Sequence, residues 1–206
     1  MKAFASVAPM LLCSIMLGFA GNVEAQTPGT SRADLKAGAR IGIGYVANLP
    51  NTFLGFSAIA TQPGFLGGAG VYADVKITTG STRADPYYMA GISGDDAVIT
   101  FGDFLSRERT EWVSVNLAFL YAVTSDFNVF AGGGYSRGQH YQEYYDDSRT
   151  RGLFGFYWVS DSARDDIGLN LLGGVMLRIA DVALLQLGME SRPIGATAGV
   201  IFPIPI

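Results

Sequence analysis

The chain is poor in the residues that carry most protein chemistry. Among 206 residues it has a single cysteine, Cys13, a single histidine, His140, and two tryptophans. Only 16% of the residues are charged, the net charge is −4, and no basic run occurs anywhere. One cysteine excludes an intrachain disulfide. The missing basic run argues against nucleic acid as a partner. No His, Cys, Asp or Glu spacing resembles a metal site, and no cofactor is expected. The Asp95-Asp96, Asp146-Asp147 and Asp165-Asp166 pairs read as solvated loop charges.

His140 invites a test for acyl-transfer chemistry. Ser136 shares its face if a strand continues through Ser136–Glu143, yet four extended residues separate the two by about 13 Å. A nucleophile and its base need hydrogen-bond contact, and Glu143 has the opposite parity. These residues alone make no triad, and no catalytic residue is expected.

Two features are abundant. Glycine supplies 27 residues, nearly double the usual ~7% and without a collagen-like period. Hydrophobic residues make up 49% and aromatics 12%, so the chain is no disordered linker. Residues 1–25 have the grammar of a secretory signal peptide: Lys2, an apolar stretch from Ala3 to Ala20, and small residues in Val23-Glu24-Ala25. Cleavage after Ala25 removes Cys13, one lysine and one glutamate, leaving 13 basic and 17 acidic residues of the original 14 and 18. Residues 26–37 read as a short polar leader, and 38–206 as one domain.

Period-2 alternation begins at Gly38 and recurs eight times. It covers 38–48, 52–61, 65–78, 111–123, 127–135, 167–179, 183–190 and 194–202. Val71, Ala73, Val75 and Ile77 oppose Tyr72, Asp74 and Lys76; Val113, Val115, Leu117 and Phe119 oppose Ser114, Asn116 and Ala118. Phe130 breaks the pattern by falling on the polar face. Residues 79–109 and 137–166 lose the alternation and are expected as long loops, with one short strand at Ala97–Phe101.

One face of every strand is nearly continuous in apolar residues; the other is small, glycine-rich and polar. A lipocalin-like soluble barrel would also alternate. Connection lengths separate the two readings. The turns at Gln62–Gly64, Thr124–Asp126 and Ala180–Asp181 all fall at one end and are short. Both long loops fall at the other end, the arrangement of outer-membrane barrels. Strands in lipid must close on themselves, so the expected fold is all-β: an eight-stranded antiparallel up-and-down transmembrane β-barrel. On this facing Leu117→Arg should be costly and Asn116→Ser mild. Tyr45, Tyr121, Tyr135 and Phe202 are expected as interface anchors.

The signal sequence, the alternating Arg40–Tyr45 and Val71–Ile77 segments, the Val113–Tyr121 strand and the alternating C-terminus resemble the small outer-membrane β-barrel superfamily. That group includes the OmpA transmembrane domain and OmpX. The resemblance covers the mature chain at the level of architecture and picks out no subfamily. It implies location in the bacterial outer membrane, contact with its lipid and lipopolysaccharide, insertion by the barrel-assembly machinery, and a monomer. One departure is the C-terminus, where Pro203-Ile204-Pro205-Ile206 follows Phe202 instead of a terminal aromatic.

Arg40, Asp74, Lys76, Arg178 and Glu190 fall on the lumen face and are candidates for ion pairs that plug it. In the 137–166 segment, Tyr141–Tyr145 and Leu153–Val159 are expected to fold back as an extended hairpin. Tyr141, Tyr144, Tyr145, Phe154, Tyr157 and Trp158 would form an exposed aromatic surface for an extracellular ligand. The expected function is therefore structural or surface-interactive. Lipid A modification and a narrow channel are the alternatives.

Overall fold

The computed structural model describes residues 40–49, 53–61, 69–124, 126–149, 155–180 and 182–204. The expected signal peptide and leader, the Gln62–Gly64 turn, Phe154 and the side chain of Arg40 lie outside the described residues.

Among the described residues nine strands follow one another: β1 (Arg40–Leu49), β2 (Phe53–Thr61), β3 (Ala69–Thr78), β4 (Phe104–Ala122), β5 (Phe127–Tyr145), β6 (Phe156–Ser160), β7 (Asp166–Ala180), β8 (Ala183–Ser191) and β9 (Ile194–Ile204). Eight of them close a barrel in the order β4-β3-β2-β1-β9-β8-β7-β5, and β4 pairs with β5 to seal it. Every ladder between named strands is antiparallel. The fold expected from alternation is the fold present. β6 is extra: the one named strand it pairs with is β5, at its far end outside the barrel wall.

Alternation sorts the side chains as a closed sheet requires. Outward-pointing Tyr45, Phe56, Leu117, Phe119, Leu169, Leu171 and Met189 are exposed, Phe119 at 82% and Leu169 at 79%. Inward-pointing residues are buried. At the end carrying the short turns the interior is apolar, built from Ile59, Tyr72, Leu120, Phe130, Met176 and Ile201. Phe130 interrupts its strand's pattern because glycine makes room for it. A Cβ on Gly174 would lie 2.9 Å from the Phe130 ring, and one on Gly188 3.1 Å from it. The ring also packs on Tyr72 at 5.0 Å. Glycine here is a void that an aromatic fills.

The expected loops are shorter than the polarity pattern suggests. β4 begins at Phe104, so Phe104–Thr110 is strand, and Arg137–Tyr145 continues β5. These extensions pair from Thr110↔His140 to Phe104↔Tyr145, with a bulge between Leu105 and Arg107. Arg107, Glu108, Arg109 and Glu111 sit where the two-stranded ribbon stands clear of the barrel, so no apolar face marks it as strand. The short strand expected at Ala97–Phe101 is instead a π-helical turn, Asp96–Thr100. Ser93 and Asp96 tie its start reciprocally: Asp96 accepts from the Ser93 N–H and hydroxyl, and the Asp96 N–H donates to the Ser93 hydroxyl.

Candidate functional site

Two polar constructions lie on this scaffold, one inside the barrel and one above it. The first occupies the lumen half nearer the long connections. Lys76 is fully buried, with Nζ 2.7 Å from Asp74 and 3.1 Å from Glu190. β3 and β8 face each other across the barrel and thus supply the cross-lumen contact that alternation implies. Two carboxylates against one ammonium leave one negative charge, which neutral donors stabilise. Asn116 and the Tyr72 hydroxyl each donate to Asp74 at 2.7 Å. Asn170 donates to Glu190 at 3.0 Å, and Asn48 donates to its other oxygen. Asp74 thus accepts three donors, and Glu190 accepts two amides beside its ion pair with Lys76. Gln186 extends the net by donating to the Tyr72 hydroxyl at 2.9 Å.

Asp74, Lys76 and Glu190 are therefore brought together. Arg178 is not: it pairs with Asp126 at 3.4 Å, beside the short β4–β5 turn. Parity assigned it to the lumen, but its position at the strand end lets the guanidinium reach the rim. The backbone of Arg40 pairs with Thr61. The amides Asn48, Asn116 and Asn170 were the residues missed as network members. Their signal was present, since a buried carboxylate needs donors and these share its face.

The second construction is a crown built on the β4–β5 ribbon. β6 adds to β5 in the register Tyr141↔Ser160 to Tyr145↔Phe156, the fold-back expected for that segment. The connection between β3 and β4 then straddles β6. On one face, Tyr88 meets Tyr141 edge-on at 6.1 Å. At the β6 edge, the Trp158 N–H donates to the Tyr87 carbonyl at 3.0 Å, and the Met89 N–H donates to the Trp158 carbonyl at 2.8 Å. On the other face, Ala97 packs with Tyr144, Tyr157 and Val159. The Tyr157 hydroxyl donates to Asp103.

This overturns the expected aromatic surface. Of the described candidates, Tyr141, Tyr144, Tyr157 and Trp158 are buried, and Tyr145 is half-buried, against Phe156 at 5.0 Å. The chain between Thr79 and Asp103 covers them, because large rings standing in water gain from burial. Burial pushes the Tyr144 and Tyr141 hydroxyls above the ordinary tyrosine pKa.

Charged residues ring this small core in pairs. Arg107 meets Glu143 bidentately, both contacts at 2.8 Å, and lies 5.1 Å over the Trp158 ring. Arg164 donates to Glu108 at 2.6 Å. A hydrogen bond from Gln142, aided by Arg164 and His140, holds Glu108 below the usual carboxylate range. His140 Nδ1 lies 3.0 Å from the Thr110 hydroxyl, whereas Ser136 donates to the Arg192 carbonyl at 2.7 Å. The two are engaged with different partners, as their separation along β5 requires. Among the described residues no three potential ligands converge as a metal site.

No family model matches the chain, and no curated protein does. Among solved structures it is similar to Ail, the attachment invasion locus protein of Yersinia pestis. That match has 12% identity and a TM-score of 0.42, covering 80% of this chain and 94% of that one. The same protein in complex with the heparin analogue sucrose octasulfate matches with a TM-score of 0.39, 12% identity and the same coverage.

Proposed function

We propose that the chain is a non-conducting barrel of the bacterial outer membrane that holds a folded crown outside the cell for surface interaction. The carrying observation is the polarity of the barrel wall. Large apolar side chains point outward around it, while the deeply buried Lys76 ammonium and its two carboxylates lie inside. Water would reverse that arrangement; hydrocarbon favours it. The belt's partners are lipid and lipopolysaccharide, with the barrel-assembly machinery acting during insertion.

Two layers of side chains fill the lumen, an ionic one and an apolar one. An eight-stranded barrel has room for little else. What varies is the crown, and its rigid, covered sheet suits recognition at the cell surface. The paired charges and covered rings of the crown suit binding rather than a reaction.

Fractionation is the first test: the protein should sediment with outer membranes and migrate faster on gels before heating than after. Trypsin added to intact cells should cut at exposed Arg149, at the tip beyond β5. Cleavage there only after the membrane is breached would refute the orientation. Steady ion conductance in planar bilayers would refute the plug.

A further inference from the structure

We propose that the outward face of the crown carries a binding cleft for a neutral saccharide, a refinement that rests on the crown being a surface-binding element. Two adjoining cavities, of about 270 Å³ and 500 Å³, lie between the Ser81–Tyr87 segment and β4. They share Asp85, Arg107 and Trp158. Their combined size falls in the ~300–1,000 Å³ range of small-ligand sites.

The charges of the cleft cancel locally. Arg107 is paired with Glu143, Arg109 with Glu111 at 3.8 Å, and Glu108 with Arg164. Among the described residues Asp85 has no ion-pair partner of its own, although its field reaches Arg107. A polyanion would meet three carboxylates here, and a cation would find only Asp85 without an ion-pair partner, already within the field of Arg107. A neutral polyol faces neither obstacle.

Hydrogen-bonding capacity remains in the walls. Arg107 uses two guanidinium nitrogens on Glu143, and a guanidinium has five N–H donors. Asp85 uses one oxygen on the Tyr87 N–H, at 2.9 Å. The second cavity adds Tyr87 and Phe156. Planar donor–acceptor pairs match adjacent hydroxyls on a sugar, and ring faces match its C–H surface.

An independent observation points the same way. Thr82 lines the smaller cavity, is only 3% exposed, and its hydroxyl has no hydrogen-bond partner. Its backbone N–H is held by Glu111, which fixes the residue against β4. Buried hydroxyls are ordinarily satisfied; this one is sealed from solvent, and a small outward shift of the Thr82–Ala84 turn would let a ligand hydroxyl in the cleft satisfy it.

The test uses full-length protein refolded in detergent micelles, so membrane location does not affect the result. The two tryptophans give two indole N–H signals, of Trp158 in the cleft and Trp112 outside it. Titration with galactose, N-acetylglucosamine and lactose should move the Trp158 signal and leave Trp112 in place, with Kd for the best probe near about 1 mM or tighter. Thr82→Val, which preserves shape, should weaken binding by about 3- to 10-fold. Arg107→Lys, which loses the bidentate pair, should weaken it as well. Unchanged Trp158 shifts with all three sugars would overturn the proposal. So would a response confined to argininamide or inorganic phosphate, and so would wild-type sugar binding in both variants.

Discussion

The barrel and the crown share two strands yet follow opposite rules. Along the barrel part of β5, Ala131, Tyr135 and Arg137 point outward and are exposed; further along, Tyr141 and Glu143 have the same parity and are buried. The backbone period is unchanged between the two regions. On the proposed membrane location, what changes is the medium outside. Hydrocarbon accepts a bare apolar wall, whereas in water the sheet needs a cover on both faces, and the chain between β3 and β4 supplies it. A strand crossing from lipid into water therefore inverts its code without altering its geometry.

The largest test of this contrast lies in the lumen. Lys76→Ala leaves Asp74 and Glu190 buried without their cation and should cost about 3–5 kcal/mol, measured by urea unfolding in lipid vesicles. Replacing all three charges together, with Lys76→Met, Asp74→Asn and Glu190→Gln, should recover much of that loss. If Lys76→Ala were neutral, the ionic plug would carry no weight. Next comes the belt. Leu117→Arg should destabilise by about 2–4 kcal/mol near the bilayer midplane. Ile99→Arg, on an 81% exposed crown residue, should stay within about 0.5 kcal/mol. Equal costs at the two sites would remove the distinction between the regions.

The facing pattern alone makes Asn116→Ser mild; its contacts make it otherwise. Asn116 donates to Asp74 and accepts from Asn170, so its loss should cost about 1.5–3 kcal/mol in the same unfolding measurement. In the crown, Tyr157→Phe removes the bond to Asp103 and should cost about 1–2 kcal/mol locally. Proteolysis between Thr79 and Asp103 should then accelerate while the barrel retains its heat-modifiable migration. The smallest effect concerns pH. Glu108 has a depressed pKa when folded, so its contribution is present above the ordinary carboxylate value and lost as pH falls through the lowered one. Hydrogen exchange around Ser162–Arg164 should rise only on acidification past the usual glutamate range, and Glu108→Gln should flatten that response.

These regions also differ in how much the sequence reveals. β1, β2, β3 and the last three strands are legible because an apolar outer wall and a crowded lumen impose strict alternation. The ionic trio was legible too, since Asp74, Lys76 and Glu190 stand out on a face of small residues. Phe104–Thr110 was not: in water its exposed charges carry no periodic signal, and only pairing with β5 makes it a strand. Ala97–Phe101 misled for a related reason. Its apolar residues look strand-like, but Ala97 alone is buried, turned into the core by a helical bend. The crown aromatics were correctly paired yet given the wrong exposure, because their burial depends on a distant segment, Thr79–Asp103.

The central claim is that the medium outside the wall changes from lipid to water between the barrel and the crown. Single cysteines at positions 117 and 104, made as Leu117→Cys and Phe104→Cys in a Cys13→Ser background, test it directly on intact cells with a membrane-impermeant maleimide. The account predicts rapid labelling at 104 and none at 117, with 117 still protected after the outer membrane is permeabilised and reactive only after unfolding. Labelling at 117 in intact cells, or at 104 only once the membrane is broken, would contradict it.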